Sequence, residues 1–489
     1  MATSERHLPS VAVALLNKPA RTILLVTLFA ALPLFIPPLR QRLSVKGQTY
    51  SQVLPNVREL VSFKEHSASA ATLPTTTNLT EQLAEAEPVR GTCADQLIED
   101  PDHAMDLFNA ALARTDAKEQ GAITRISHYG DSPITNDGIT GTVRELLQEK
   151  FGDSGHGFIL VDRPWDWYGH QAIIFRSGGG WLSGSLINPH TRDGEFGLGG
   201  VAFFANGPGR YARFEPSHDR ATGRKFSRLE VYYLSQPDGG QFSVTVDDTK
   251  TEIISTGGEQ TKSEFCEIKA PEAAAKSFAL KTIDGNVRVF GAVLENDDAG
   301  VVYDSLGVNG AFAGLLATAM NEQHWTEQLQ HRRPNLVILN YGTNESEYAS
   351  DDQMQRYERD LHEVVRRVRT ALPEASLLIV SPMDRGTRAP GGRVVTLPSI
   401  PKIVEMQRRV ALETHCAFLN TFAAMGGEGT MARWHQGRQH LVSGDLTHPT
   451  ATGAQTVGTL IYMALMENYS RYTERMATVA RAKTRASKS

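Results

Sequence analysis

Two short motifs that lie far apart in the chain could together supply a nucleophile and its base. The first is Gly-Asp-Ser at residues 130–132, and the second is Asp-Leu-Thr-His at residues 445–448. A serine hydroxyl attacks a carbonyl efficiently only when a histidine removes its proton and a carboxylate orients that histidine. We therefore predict that Ser132 is the nucleophile, with His448 as general acid–base and Asp445 as the orienting carboxylate.

Each motif has a simpler interpretation when it is considered alone. Ser132 could be a turn or cap residue, and the second motif could be a helix N-cap followed by a surface histidine. Asp445 and His448 are three residues apart, so on a helical turn their side chains point the same way. The catalytic interpretation therefore depends on a fold that brings Ser132 to this turn.

Two further segments contain groups that could hold the negative oxygen of a reaction intermediate. Residues 305–310 read SLGVNG, and their glycines would let a backbone N–H approach a substrate oxygen. Asn344 follows an apolar run and could donate from its side-chain amide, and the Ser132 N–H would lie near a helix N-terminus. Taken singly, segments such as 305–310 and the one that carries Asn344 are more often turns than donors.

The elements around these motifs repeat a strand, a loop and a helix, which is typical of a parallel sheet covered by helices on both faces. The predicted strands are residues 122–129, 336–340, 377–381 and 417–420, and the predicted helices are residues 140–151, 351–372, 403–415 and 451–472. A strand pair at residues 287–296 (VRVFGAVLEN) and 301–307 (VVYDSLG) is also predicted to belong to this fold. Active sites in such sheets form at the carboxyl ends of the strands. Ser132 and Asn344 both follow such strand ends, so we expect them at the same edge of the sheet.

The segment between the two halves of this pattern has a different character. Residues 166–286 are rich in glycine and contain short runs of alternating polar and apolar residues, such as LEVYYL and FSVTV. This pattern predicts an antiparallel β-sandwich or jelly-roll inserted into the α/β domain. Its aromatic residues could stack on sugar rings, although packing in the sandwich core is the more common role: Trp165, Trp167, Tyr168, Trp181.

The N-terminus contains an uncharged apolar run at residues 23–39, which is slightly short for a spanning helix. No small-residue cleavage site follows it, so we predict an uncleaved transmembrane anchor rather than a removed signal peptide. Basic residues flank the run on both sides, and its orientation stays open. The predicted divisions are an anchor (1–45), a flexible linker (46–92), the α/β domain in two parts (93–165 and 287–472), the insertion (166–286) and a basic C-terminal tail (473–489).

Composition excludes several other classes of function. The formal net charge is only -5 over 489 residues, which gives no reason to expect a nucleic-acid partner. The three cysteines form no zinc-binding pattern, and neither a metal site nor a nucleotide fingerprint is present, so we expect no cofactor. Cys93 and Cys266 could pair in an oxidising compartment, but unpaired thiols are the more ordinary interpretation.

The ordered blocks around Ser132, Gly307, Asn344 and the Asp445–His448 turn resemble those of the SGNH (GDSL) hydrolase family. The resemblance implies a three-layer, flavodoxin-like α/β fold and a Ser-His-Asp triad. It also implies an oxyanion hole formed by the Ser132 N–H, the Gly307 N–H and the Asn344 side chain. Two departures stand out, since the first block reads GDSPIT and Glu345 occupies a position where aspartate is frequent.

A finer resemblance is to the family branch that contains peptidoglycan and polysaccharide O-acetylesterases. The stretch TGTVRELLQEKFGDSGHGF, the block DSLGVNGA and the sequence GTNE carry this resemblance, as does the position of the β-sandwich insertion. It implies an O-acetylated glycan as substrate. Asp131, Asp384 and Trp434 lie beside these blocks or at strand ends, and we predict that they contact the substrate.

The predicted function is therefore ester hydrolysis by a membrane-tethered serine esterase whose catalytic part lies outside the cytoplasm. Transfer of the acyl group to a sugar hydroxyl by the same triad remains an alternative, and so does a catalytically silent glycan-binding protein. The sequence leaves open the acyl group, the glycan and the oligomeric state.

Overall fold

A buried strand at the centre of a mixed sheet organises the α/β part of the molecule. The structure is a computed structural model that describes residues 97–347 and 350–486. Leu336, Val337 and Ile338 of this strand are fully buried, because helices cover both faces of the sheet. The sheet strands are β1 (Ile98–Glu99), β2 (Ile123–Gly130), β14 (Gly300–Gly307), β15 (Leu336–Asn340), β16 (Ser376–Val380) and β19 (Ala417–Leu419).

The strand order of this sheet is β1-β19-β16-β15-β2-β14. The five strands from β19 to β14 are parallel, whereas β1 pairs with β19 in the antiparallel direction. Numbered along the chain, the parallel strands follow the flavodoxin-like order 2-1-3-4-5. The predicted parallel sheet is therefore correct for five strands, and the two-residue β1 was too short to produce a recognisable strand pattern.

The described helices are α1 (Asp106–Asp116), α2 (Gly138–Phe151), α3 (Leu315–Thr318), α4 (Glu322–Arg332), α5 (Asp351–Ala371), α6 (Ser399–Glu413), α7 (Thr421–Ala424), α8 (Thr430–Gln436) and α9 (Ala451–Ala486). Helix α5 begins at a capping box in which Ser350 and Gln353 bond each other's backbone groups. Apolar side chains of α1, α2 and α9 cover one face of the sheet. Those of α4, α5 and α6 cover the other face.

The inserted region forms two antiparallel sheets that share one hydrophobic cluster. Their strands are β3 (Gly155–Ile159), β4 (Ile173–Gly178), β5 (Leu182–Ser185), β6 (Val201–Asn206), β7 (Tyr211–Pro216), β8 (Arg228–Ser235), β9 (Gln241–Val246), β10 (Lys250–Ser255), β11 (Lys262–Lys269), β12 (Phe278–Asp284) and β13 (Asn286–Glu295). One sheet has the order β10-β9-β12-β7-β4, and the other has the order β11-β8-β13-β6-β5, with β3 also paired to β13.

Three boundaries differ from the sequence-based division. Strand β3 pairs with β13, so the sandwich includes Gly155–Ile159 and does not begin at residue 166. Strand β13 pairs within the second sandwich sheet and does not belong to the α/β sheet, so the sandwich extends to Glu295 rather than to residue 286. Helix α9 continues to Ala486 and includes most of the predicted C-terminal tail. Residues 473–486 contain neither glycine nor proline, so nothing in the chain ends the helix at residue 472.

The predicted anchor at residues 23–39, the linker and Cys93 lie outside the described residues. Among the described helices, none is both long and apolar enough to cross a membrane.

A small two-stranded ribbon completes the described elements. It consists of β17 (Gly386–Arg388) and β18 (Val394–Thr396), which pair in the antiparallel direction. The Gly386 N–H donates to the carbonyl of Leu446 at 2.8 Å. The ribbon therefore supports the loop that carries Asp445 and His448.

Candidate active site

Ser132 begins a 3-10 turn, Ser132–Ile134, directly after strand β2. The turn folds back closely on the strand end, where a Cβ at Gly130 would lie 2.5 Å from the Ile134 side chain and 2.9 Å from the Asn340 carbonyl oxygen. A side chain at position 130 is therefore excluded by space. Glycine there lets the chain turn sharply and leaves Ser132 at the carboxyl edge of the sheet.

The side chains of Ser132, His448 and Asp445 form a continuous line of hydrogen bonds. Ser132 Oγ lies 2.7 Å from His448 Nε2, and His448 Nδ1 lies 2.6 Å from Asp445 Oδ2. With the histidine proton on Nδ1, the ring donates to the carboxylate and accepts from the serine hydroxyl. This is the arrangement that proton removal from a nucleophilic serine requires.

The Asp445–His448 segment is a tight loop rather than the start of a helix. The Ser443 N–H donates to the His448 carbonyl at 2.8 Å, and the Leu446 N–H donates to the Ser443 carbonyl at 3.0 Å. Leu446 has a left-handed backbone with φ of 61°, which is uncommon outside glycine and costs energy. Its side chain is buried. Packing of Leu446 thus holds the loop in the conformation that places Asp445 against His448 and His448 against Ser132.

Hydrogen bonds keep the Asp445 carboxylate ionised. Partial burial acts to raise its pKa, but donors from the His448 ring and from the backbone N–H groups of His448 and Thr447 lower it below the usual value. Both backbone donors lie 3.0 Å from Asp445 Oδ1. One carboxylate oxygen is therefore fixed by the loop, and the other is free to orient the histidine.

The site opens into a surface cavity of about 400 Å³. The side chains of His448 and Asp445 are 43% and 50% exposed, so the base is directly accessible to a ligand and to water. The residues that line the cavity come from both motifs and from neighbouring loops: Ser132, Pro133, Asn136, Trp167, Asn309, Ser443, Asp445, His448, Pro449.

The predicted oxyanion donors lie on segments adjacent to Ser132. Gly307 ends strand β14 opposite Gly130, and a Cβ on Gly307 would lie 2.9 Å from backbone atoms of Ile134 and Thr135. Asn344 Nδ2 donates to the Ala311 carbonyl at 2.9 Å. An amide nitrogen carries two hydrogens, so this bond orients the group and leaves a second N–H for a ligand.

Two buried carboxyl groups hold the loop that carries Asn344. Asp131 Oδ2 accepts from the Thr343 N–H at 3.0 Å. Glu345 accepts from the Ala313 N–H at 2.8 Å and from the Gly342 N–H at 3.1 Å. The Glu345 side chain thus connects the Asn344 loop to the segment that follows Gly307.

The three residues that were predicted to contact the substrate do not line the cavity. The described residues that line the cavity do not include Asp131, Asp384 or Trp434. Asp131 is 2% exposed and holds the Thr343 backbone, and Asp384 is 1% exposed and accepts from the Met431 N–H. Trp434 packs against the hydrophobic cluster under α9. Polar residues at a strand end can equally serve to fix loops, and the sequence does not distinguish the two roles.

The cavity also contains residues that the sequence did not single out for the active site. Asn309 lies in the glycine block and Asn136 in the turn after Ser132, whereas Ser443 precedes the Asp445 loop. Trp167 was considered only as an aromatic residue of the insertion, with core packing as the preferred role. It is instead 53% exposed on the cavity wall, whereas Trp181 is buried.

One group of side chains outside the cavity has atoms close enough together to hold a metal ion. Ligand atoms of Glu358, His362 and Glu413 lie within 4.8 Å of one another on the partly exposed surface of α5 and α6. Exposed acidic groups of this kind are common without an ion, and none of the three lines the cavity with Ser132. Cys266 and Cys416 form no disulfide with each other, and Cys93, the possible partner of Cys266, lies outside the described residues.

Comparison with known proteins gives three results. Residues 281–456 match the model of the GDSL-like lipase/acylhydrolase family. The structure is similar to a peptidoglycan O-acetylesterase, with a TM-score of 0.65 and 23% identity over 77% of this chain and 99% of that chain. An acetylxylan esterase from Geobacillus stearothermophilus matches with a TM-score of 0.25 and 17% identity over 35% of this chain and 73% of that one. No curated protein matches in sequence.

Proposed function

We propose that this chain is a carboxylic ester hydrolase of the GDSL (SGNH) type that removes O-acetyl groups from a carbohydrate such as peptidoglycan, since residues 281–456 match the GDSL-like lipase/acylhydrolase family and the fold is similar to that of a peptidoglycan O-acetylesterase. The observation that carries this proposal is the hydrogen-bonded line from Ser132 through His448 to Asp445 at the carboxyl edge of the sheet. The same hydrogen bonds argue against a glycan-binding protein without catalytic activity, because binding alone does not require a histidine positioned to remove the serine proton.

In the first step Ser132 Oγ attacks the acetyl carbonyl carbon while its proton passes to His448 Nε2, which lies 2.7 Å away. The Asp445 carboxylate stabilises the resulting imidazolium. The negative oxygen of the tetrahedral intermediate is held by the N–H groups of Ser132 and Gly307 and by the Asn344 side chain.

The tetrahedral intermediate then collapses: the bond to the sugar oxygen breaks, the sugar hydroxyl leaves with the proton from His448, and the acetyl group stays on Ser132 as an ester. In the second half of the reaction water attacks this ester while His448 removes a proton from the water. His448 returns that proton to Ser132 Oγ as the acyl–serine bond breaks, so acetate leaves and the serine hydroxyl is regenerated. The exposed position of His448 admits the attacking water directly.

The acetylated glycan as substrate is supported by two features. The shared fold with a peptidoglycan O-acetylesterase includes nearly all of that chain. The cavity is also open at the surface, so a residue within a long polymer can enter it without threading through a tunnel.

We further propose that residues 23–39 anchor the chain in the cell membrane, with the catalytic part periplasmic or extracellular. An uncharged run of this kind inserts into a bilayer, and an esterase that acts on cell-wall glycans must reach them on the outer side of the membrane. A peptide tag placed at each end of the chain, and exposed to an added protease in intact and in opened cells, tests both the anchor and its orientation. We expect the protease to remove the C-terminal tag in intact cells and the N-terminal tag only in opened cells.

Labelling with a fluorophosphonate, followed by an acetate assay, tests the catalytic proposal. We expect one adduct, on Ser132, and acetate release from acetylated glycans. Both signals should be lost in Ser132→Ala and kept in Ser470→Ala, which removes an exposed hydroxyl from α9. Normal turnover in Ser132→Ala would exclude the proposed nucleophile.

The same assay separates hydrolysis from transfer. With one activated acetyl donor and an excess of unacetylated oligosaccharide, a hydrolase releases acetate. A transferase would produce acetylated oligosaccharide instead.

A further inference from the structure

The indole of Trp167 is an exposed aromatic face beside the candidate nucleophile. Trp167 is 53% exposed and lines the same cavity as Ser132 and His448. Its neighbours Trp165 and Tyr168 are partly buried and pack against the hydrophobic core. The three aromatic residues thus have different roles, and only the face of Trp167 is available in the cavity.

Hydrogen bonds fix the position of this ring relative to Ser132. Trp167 Nε1 donates to Thr135 Oγ1 at 3.2 Å, and Thr135 Oγ1 donates to the Ser132 carbonyl at 2.8 Å. The edge of the indole is therefore satisfied by the turn that carries the nucleophile. Among the described residues, no aromatic ring stacks on the face of this indole, since the ring pairs of the segment are formed by Trp165 and Tyr168.

A buried ion pair holds the segment that carries Trp167. Asp137 accepts from both terminal nitrogens of Arg144, at 3.1 and 2.6 Å, and from the Gln171 N–H at 2.8 Å. Asp137 and Arg144 are 0% and 3% exposed. The start of the inserted region is thereby attached to the turn after Ser132, so the indole has a fixed position before any ligand binds.

The remaining cavity wall suits a neutral ligand that is rich in hydroxyl groups. Asn136, Asn309 and Ser443 offer amide and hydroxyl groups, and none of the described lining residues is lysine or arginine. A phosphate or carboxylate ligand would call for such a cation. A long acyl chain would call for a predominantly apolar set of side chains, whereas here two prolines and one indole share the lining with Asn136, Asn309 and Ser443.

We propose that Trp167 is a stacking platform for a sugar ring whose acetyl ester lies over Ser132. It selects a pyranose-containing glycan over small or lipid esters. An indole face fits the C–H face of a sugar ring, while the neighbouring amides bond the hydroxyls at the ring edge. This inference rests on the proposed function and adds the part of the site that recognises the substrate.

Kinetics with two substrates test this proposal in the full-length protein. The substrates are O-acetylated peptidoglycan fragments and vinyl acetate, a small acetyl ester with neither a sugar ring nor an aromatic ring that could stack on the indole. We expect Trp167→Ala to raise KM for the glycan by up to about tenfold, with a much smaller change in kcat/KM for vinyl acetate. Trp167→Phe keeps an aromatic face and should retain most of the glycan activity.

A matched control removes a different exposed aromatic side chain. Tyr211 is 42% exposed on strand β7 and does not line the cavity, so Tyr211→Ala should change neither KM. Equal losses on both substrates in Trp167→Ala would show that the indole only supports the Ser132 turn and would overturn the platform. An unchanged KM for the glycan would overturn it as well.

The proposed function fails in a different way. A wild-type protein that cleaves vinyl acetate but releases no acetate from any acetylated glycan would contradict the substrate class itself. A wild-type protein that is active on the glycan, combined with a neutral Trp167→Ala, would contradict the platform alone.

Discussion

At the scale of single residues, the catalytic candidates combine a fixed carboxylate with an accessible histidine. The loop donates two backbone N–H groups to one oxygen of Asp445 and leaves the other to His448. The pKa of Asp445 is lowered because these hydrogen bonds outweigh its partial burial. The carboxylate therefore remains charged, and able to orient the imidazole, when the medium is mildly acidic.

Replacement of Asp445 by asparagine should slow the chemical step without weakening substrate binding. An asparagine amide can donate toward His448 Nδ1 and so favours the ring tautomer that cannot accept the Ser132 proton. Since Asp445 is half-exposed, water can partly replace the lost acceptor. We expect kcat to fall about a hundredfold with KM unchanged, against a loss of several orders of magnitude in Ser132→Ala.

Steady-state kinetics on an acetyl ester measure both parameters. Asp352→Asn, which makes the same chemical change at an exposed position of α5, is the control and should be neutral. A wild-type kcat in Asp445→Asn would show that the carboxylate does not orient the histidine.

At the scale of elements, the loop after strand β15 depends on a buried carboxyl group, and no lysine or arginine among the described residues lies at hydrogen-bond distance from it. Glu345 is 8% exposed, and its two oxygens accept from the Ala313 and Gly342 N–H groups. Burial raises its pKa to about 8, although these backbone donors act in the opposite direction. The pKa of Asp131 is raised to about 7, also chiefly by burial.

These raised values predict a specific dependence of stability on pH. A glutamate in the unfolded chain loses its proton near pH 4.5, whereas folded Glu345 keeps it until about pH 8. The folded state therefore binds more protons between these values, and the contribution of Glu345 to the free energy of unfolding falls as pH rises from 4.5 to 8. Glu345→Gln removes this titration and should flatten the decline of Tm over that range.

Thermal unfolding at a series of pH values tests this expectation. Asp131 titrates in the same direction, so a smaller slope remains in the variant. Glu374→Gln removes an exposed carboxyl group and should leave the wild-type slope unchanged. An identical slope in Glu345→Gln and in the wild type would show that Glu345 is ionised in the folded protein throughout this range.

The α/β elements could be predicted because their apolar residues follow regular periods. Strand β15 and helix α5 were located to within one residue, and the SGNH resemblance is confirmed by the family match and the shared fold. Strand β13 was located but assigned to the wrong sheet. Its buried sequence fits either sheet, and the choice depends on distant partners in β6 and β8.

The candidate site was predictable only in part, for a related reason. Residue type identifies Ser132 and His448 as possible reactants, but the geometry that joins them depends on loops with no periodic signal. Asp384 and Trp167 illustrate this limit. The carboxylate that was expected in the site is buried under α8, and the tryptophan that was expected in the core lies beside Ser132.

At the scale of the whole molecule, the sandwich and the α/β sheet share one interior. A single hydrophobic cluster includes Phe290 of the sandwich, Tyr129 of strand β2 and Trp325 of helix α4. Beside it, Arg332 donates to Glu295 at the end of β13 and to Asp304 in β14, at distances of 2.6 to 2.9 Å. The two parts should therefore unfold together rather than as separate domains.

Replacement of Arg332 by leucine tests this connection. Arg332, Glu295 and Asp304 are 4%, 2% and 0% exposed, so the variant leaves two buried carboxylates without their shared cation, although Arg125 and Arg228 still contact Glu295. Loss of one partner from a buried ion pair costs about 3–5 kcal/mol. Urea unfolding should therefore show a free energy of unfolding that is lower by this amount, in one cooperative transition.

Arg176→Leu is the control, because it breaks the exposed pair with Glu215 and should lower the free energy of unfolding by less than about 1 kcal/mol. Equal effects of the two substitutions would contradict a structural role for the buried cluster, and two separate transitions in the wild type would contradict the shared interior.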